Sequence, residues 1–249
     1  MSVNDDDNNY HLRERLKIIG TIVFIIVGFI MPSIVPFVRA DSINLGVFPL
    51  DSKPYGVTYE DWTVKWWQWL LSIPKDSNPA NDDTGRNCAQ KQNGSVWFFP
   101  GTTGGSAERT CTIPAGKAIL VSILNGECSY ADSPTAKTES DLRSCALASD
   151  AGVTNLKATI DGKDLKDVDK YRITTRPFNM TLVDNNIFGV QAGRTIGVAD
   201  GWWVFLNPLS PGKHEIHTIG VLVNPTVAPT ATSTNPRFIS EVTYHLMVQ

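Results

Sequence analysis

Few residues in this chain have types and spacings that could do chemistry, and each such group has an ordinary reading beside the reactive one. Glu127 and Asp132 lie in a polar stretch that follows an apolar run. With Asp82 and Asp83 they could supply the acid and base that glycoside hydrolysis needs; acids in loops are more often simply solvated. His214-Glu215-Ile216-His217 gathers two imidazoles and a carboxylate. On a strand Glu215 and His217 share one face and His214 points to the other. The pattern is therefore not the helical His-Glu-x-x-His of zinc proteases, and a water-facing strand after a Pro-Gly turn accounts for it. His245 and Met247, two apart, pair imidazole with thioether, ligands that suit copper. A cupredoxin-like site would also want a cysteine nearby. No Gly-x-Ser-x-Gly elbow, phosphate loop or dinucleotide fingerprint occurs. The expectation is no metal, no cofactor and no catalytic residue.

The four cysteines are Cys88, Cys111, Cys128 and Cys145. An even number in an oxidising compartment reads as two disulfides. Three pairings are open. Local pairing, Cys88 with Cys111 and Cys128 with Cys145, is expected, because each bridge would close a modest loop rich in turn residues, where constraint is worth ~3 kcal/mol. The absence of a Cys-x-x-Cys pair argues against a thiolate metal site.

These groups need elements to position them. Thr58-Tyr59-Glu60-Asp61 reads as a helix start, with Thr58 as N-cap, and the helix should stop near Ser72, before Pro74. Tyr59, Trp62, Trp66, Trp69, Leu70 and Ile73 form one stripe that would pack on a sheet. Trp67 falls at its edge; Val64 and Leu71 fall outside it. A second helix, capped by Thr138, is expected over 139–149. Most of the remainder reads as short strands broken by Gly, Pro, Asn and Asp: Val96–Phe99, Arg109–Ile113, Ala118–Leu124, Leu156–Ile160, Tyr171–Thr174, Met180–Val183, Ile187–Val190, Gly197–Leu206, His214–Val223 and Arg237–Val248. Asp161-Gly162 is a hairpin-type turn. The expected fold is mainly β: a single jelly-roll-like β-sandwich with a Trp-rich helix and a second short helix. Trp202 and Trp203 are adjacent in a strand, so one must leave the core face. With Trp67, Glu127 and Asp132 they form the candidate ligand surface.

The run WxxxWWQW, then QNGSVWFFPGTTGG, RTCTIPAGKAILVSILNGEC, ADGWWVFLNPLSPGKHEIHTIG and the closing VTYHLMV resembles a family of exported prokaryotic proteins of unknown function. The resemblance covers most of residues 55–249. It implies an exported β-rich domain and no catalytic residue.

The start of the chain agrees with export. A basic flank with Arg13, Arg15 and Lys17 precedes an apolar block over 18–38, and Val38-Arg39-Ala40 fits a cleavage site. The same block is near the ~20 residues a spanning helix needs. Residues 1–40 are thus a signal peptide or a membrane anchor, with the N-terminus inside, and 41–249 an extracytoplasmic domain. Removing 40 of the 249 residues leaves 209, ample for one core, with the net charge still −3. No basic stripe points to nucleic acid. Expected partners are the cytoplasmic membrane, if residues 18–38 are retained, and a carbohydrate or envelope protein. Asn93 and Asn179 begin glycosylation sequons. The function expected is a non-catalytic binding or surface-associated module; the alternative is an extracytoplasmic hydrolase of polysaccharide or envelope material.

Overall fold

Two caps start the helices of this protein. In the computed structural model, which describes residues 46–223 and 237–249, Thr58 Oγ1 accepts the Asp61 N–H at 3.1 Å and opens α1 (Tyr59–Leu71). Thr138 and Asp141 form a reciprocal capping box that opens α2 (Glu139–Ser149). Both helices have the bounds their caps imply. The export segment, its basic flank and the boundary at Ala40 lie outside the described residues, as does the 224–236 loop. Among the described residues, no helix is long and apolar enough to cross a membrane.

Among the described residues, ten strands make two facing sheets. The first contains β1 (Val96–Phe99), β3 (Ala118–Ser129), β6 (Arg172–Thr174), β7 (Phe178–Leu182) and β8 (Gly193–Leu206). Its order is β1-β3-β8-β6, with β7 also paired to β8. The second, ordered β2-β10-β9-β4-β5, contains β2 (Gly105–Ile113), β4 (Val153–Ile160), β5 (Lys163–Asp164), β9 (Gly212–Val223) and β10 (Arg237–Val248). The expected sandwich with two helices is what forms. Among the described residues two ladders are parallel: β1 with β3, because the chain crosses to the other sheet through β2 between them, and β2 with β10, the last strand. Asp161 and Gly162, both with positive φ (50° and 72°), make the two-residue hairpin between β4 and β5.

Each sheet face has its own core. Between the sheets, Ile119, Val121 and Val204 meet Val242, Tyr244 and Leu246. On the outer face of the first sheet, Trp66, Trp69 and Leu70 of α1 pack on Leu120, Trp203 and Phe205. Each such buried side chain contributes roughly 1.5–3 kcal/mol. Hydrogen bonds fix α1 in place: Trp66 Nε1 donates to the Phe99 carbonyl at 3.2 Å, and the Phe205 N–H donates to the Tyr59 hydroxyl at 2.7 Å. Farther along the sheet, Leu142 and Ala146 of α2 pack on Cys128 and Val198.

Three readings need correction. Leu71 and Trp67, outside the stripe or at its edge, are buried as well. The segment after the helix folds back over its end, where Asn78 donates to the Leu70 and Ile73 carbonyls and Trp69 Nε1 donates to the Gln90 carbonyl. Ile187–Val190 is a turn, not a strand. The Asn186 amide organises it, donating to the Val183 and Val190 carbonyls and accepting from the Phe188 and Val190 N–H groups. Trp202 and Trp203 do point to opposite faces, but both faces are covered, one by the second sheet and the other by α1, leaving them 5% and 0% exposed.

Candidate functional site

A crevice opens where α1 meets the end of the inter-sheet core. Trp66, Trp67 and Leu70 form one wall. The Pro100–Thr103 loop after β1 forms another, and Ile187 and Phe188 form a third. Leu124 and Asn125 make the floor, just past a β-bulge at Ser122/Leu124 in the β3–β8 ladder. Phe238 and Ser240 of β10 close the far side of this cavity of about 160 Å³.

The rim is built rigidly. The Gly101 N–H donates to Ser122 Oγ at 2.9 Å and the Thr102 N–H to Ser240 Oγ at 3.1 Å. A Cβ at position 101 would collide with Ser240 Oγ, so only glycine allows this approach. Behind the rim lies Arg109, 1% exposed. Its guanidinium donates to the carbonyls of Pro100 (2.8 Å), Gly101 (3.1 Å), Asp82 (2.7 Å) and Ala80 (3.3 Å), and to the Tyr244 hydroxyl (2.6 Å). Arg109 therefore ties three separate segments into one wall. Sequence reasoning missed it, since an arginine in a strand that alternates buried and exposed gives no sign of its partners.

Two donors at this crevice have no acceptor. Trp67 Nε1 and Asn125 Nδ2 are enclosed and unbonded. Trp67 was expected at the surface, yet it is 4% exposed and tilts against Phe188 with ring centroids 6.5 Å apart. The crevice thus has aromatic walls and hydrogen-bonding capacity left over, the composition of a small-ligand seat.

The other candidate residues are placed elsewhere. Glu127 lies on the Asn125 face of β3. Both its carboxylate oxygens are enclosed beside the Asp132 carboxyl; burial, then the charge of Asp132 and a hydrogen bond with it, raise its pKa well above the ordinary value. Asp82 is committed to its own loop, accepting from the Thr84 and Asn87 N–H groups, while Asp83 is exposed. Neither joins Glu127 in a paired acid–base site. Trp202 stacks under the Arg172 guanidinium, 4.8 Å from its ring centroid, inside the sandwich.

The histidines are engaged with carboxylates. His214 bonds Asp161 at 2.8 Å and the Ser210 carbonyl at 2.9 Å. Burial pulls its pKa down, but these two acceptors outweigh burial and the net shift is upward. Glu215 and His217 share the outer face of the second sheet, as alternation requires. There His217 meets Glu241 at 3.0 Å, and His245 lies between Glu108 (3.4 Å) and Glu215 (3.6 Å). Among the described residues, no group of three or more His, Cys, Asp or Glu side chains is arranged to hold a metal ion.

The cysteines pair locally, Cys88 with Cys111 and Cys128 with Cys145, with Cα separations of 6.2 and 6.0 Å. The first ties β2 to the loop after α1 and the second ties α2 to β3. Asn93 and Asn179 are both exposed.

With that geometry in view, the chain can be set beside known proteins. No family model and no curated protein matches it. Two solved structures are similar to it in part. One is a cysteine protease inhibitor from Entamoeba histolytica, at 11% identity over 62% of this chain and 96% of that one, with a TM-score of 0.20. The other is amebosin, at 12% identity over 63% and 100% of the two chains, also with a TM-score of 0.20. Likenesses this slight carry no argument about function.

Proposed function

We propose that this protein is a non-catalytic binding module of the extracytoplasmic space, exported or anchored through its N-terminal apolar segment, and that its ligand seat is the crevice beside α1. One observation carries the reading: two enclosed donors, Trp67 Nε1–H and the Asn125 amide, end unpaired at an aromatic-walled cavity. An unmet buried donor costs about 1–3 kcal/mol, and an acceptor on a ligand would recover that cost. The cavity, about 160 Å³, suits a single neutral, acceptor-rich ring, so the ligand class is a sugar residue of a surface polysaccharide. The two disulfides agree with an oxidising location, and the resemblance to exported proteins of unknown function points the same way. Nothing in the arrangement of Glu127 and Asp132 favours the hydrolase alternative, because the Glu127 oxygens are enclosed and do not face a second carboxylate across open space.

Glycan-array capture by the full chain tests this. Trp67→Phe keeps an aromatic ring, though a smaller one, and deletes the donor; Asn125→Leu deletes the amide. Each should weaken captured-glycan binding by about tenfold, the value of one hydrogen bond in a desolvated seat. Undiminished capture by both variants would refute the crevice as the seat.

A further inference from the structure

Beneath the face of the first sheet that carries α1, three oxygens are enclosed with no N–H or hydroxyl donating to them among the described residues: both carboxylate oxygens of Glu127, whose side-chain hydrogen bond is to the acid Asp132, and the hydroxyl of Ser129. Ser129 is fully buried. The two residues are two apart on β3, so their side chains leave the same face, roughly 7 Å apart along the strand. Asp132 turns back toward them. Its Oδ1 accepts the Ser129 N–H at 2.7 Å and Ser133 Oγ at 3.0 Å, which holds a second carboxylate beside the first. Across the ladder, Ser129 pairs with Gly197, where a Cβ would lie 2.9 Å from Glu127 Oε2. Glycine at 197 is thus what lets the Glu127 carboxyl lie over the neighbouring strand.

The cluster has acceptors to spare and, among the described residues, no cationic partner. A proton on Glu127 serves its hydrogen bond to Asp132 and leaves its second oxygen and the Ser129 hydroxyl unmet. A single cation would satisfy them together. We propose that Glu127, Ser129 and Asp132 bind one hard divalent cation, Ca²⁺ in preference to Mg²⁺. The donor set is all oxygen, which excludes soft metals. Its irregular spacing and the two free oxygens of Glu127 suit the flexible coordination of Ca²⁺ rather than the strict octahedron of Mg²⁺. Half-buried Asp132 is the side from which the ion and its remaining waters enter. Two carboxylates and a hydroxyl make a weak site of the kind found in extracellular modules, with Kd about 10⁻⁴–10⁻³ M. Burial, then the Asp132 charge, hold the Glu127 pKa high in the ion-free protein, so Ca²⁺ must displace a proton on binding. This site is independent of the crevice reading.

Isothermal titration of the full chain with CaCl₂, in two buffers of different ionisation enthalpy, tests the proposal. The expected result is one Ca²⁺ per chain at about 0.1–1 mM, with proton uptake by the buffer and tighter binding as pH rises from about 6 to about 7.5. MgCl₂ should bind at least about tenfold more weakly. Glu127→Gln should weaken Ca²⁺ binding at least about tenfold, and Ser129→Ala by a smaller factor. No binding up to about 10 mM CaCl₂, a range well above that expected Kd, or equal binding by Glu127→Gln, would overturn the site. If Glu127→Gln does not fold, Ser129→Ala and Asp132→Asn decide: unchanged binding in both overturns it, and weakened binding in both supports it.

Discussion

Arg109 shows how much one side chain can do when its charge is solvated by the backbone rather than by a carboxylate. Its five bonds gather the carbonyls of Ala80, Asp82, Pro100 and Gly101 with the Tyr244 hydroxyl. Arg109→Met leaves the Ala80, Asp82 and Gly101 carbonyls without this donor, while the Pro100 carbonyl keeps the Tyr244 hydroxyl. The expected loss is about 3–5 kcal/mol, the scale seen when one side of a buried charged network is removed. Arg109→Lys should recover only part of it, because an ammonium cannot serve a forked set of acceptors. Urea unfolding at neutral pH measures both. A loss under about 1 kcal/mol for Arg109→Met would mean that water replaces the guanidinium, and that the crevice rim does not depend on it. None of this network is visible in the sequence. The alternation of β2 places residue 109 inward, but its acceptors come from loops whose paths no pattern encodes.

At the scale of the element, α2 ends on a buried acid. Asp150, its C-cap, is 4% exposed and lies against Asp200, itself fully buried and bonded by Arg172 and Thr174. Burial first, and then repulsion from Asp200, raise the Asp150 pKa to about 8. The folded state therefore holds a proton between about pH 4 and pH 8 that the unfolded chain has released. Stability from this group is greatest below its unfolded pKa and declines as pH rises toward about 8. Asp150→Asn removes the titration and keeps the shape, so it should flatten that decline and gain about 1–3 kcal/mol at pH 7. Urea midpoints at pH 5, 7 and 9 check it; parallel pH profiles for the two proteins would refute it. The elements themselves were largely legible. Thr58 and Thr138 mark helix starts because their hydroxyls have an N–H to accept three residues on, and Phe238 to Val248 mark a strand by strict alternation. Ile187–Val190 was misread because β-formers suggested a strand where an asparagine amide makes a turn. The crevice was not legible because five separated segments supply it, and the unpaired donors of Trp67 and Asn125 exist only once those segments meet.

Over the whole molecule, both disulfides are local, separated by 23 and 17 residues, while the ladder that completes the second sheet is not. Strand β10 lies between β2 and β9, pairing Ser240 with Gly105 on one side and Gly220 on the other. A chain that emerges in sequence order presents β2 long before β10 exists. Through that interval β2 is an open edge, able to recruit a strand from a neighbouring chain. The Cys88–Cys111 bridge ties a loop along the opposite edge of β2, where the Thr110 N–H donates to the Thr84 carbonyl at 3.0 Å, and leaves the edge that awaits β10 open. The order of arrival thus makes the last strand a latch: neither its ladder with β2 nor its ladder with β9 can form until it has emerged. Chains stopped before residue 237 should accordingly show no cooperative unfolding and should oligomerise, whereas adding a synthetic 237–249 peptide in trans should restore a single transition; a truncated chain that unfolds cooperatively by itself would show that the latch is dispensable.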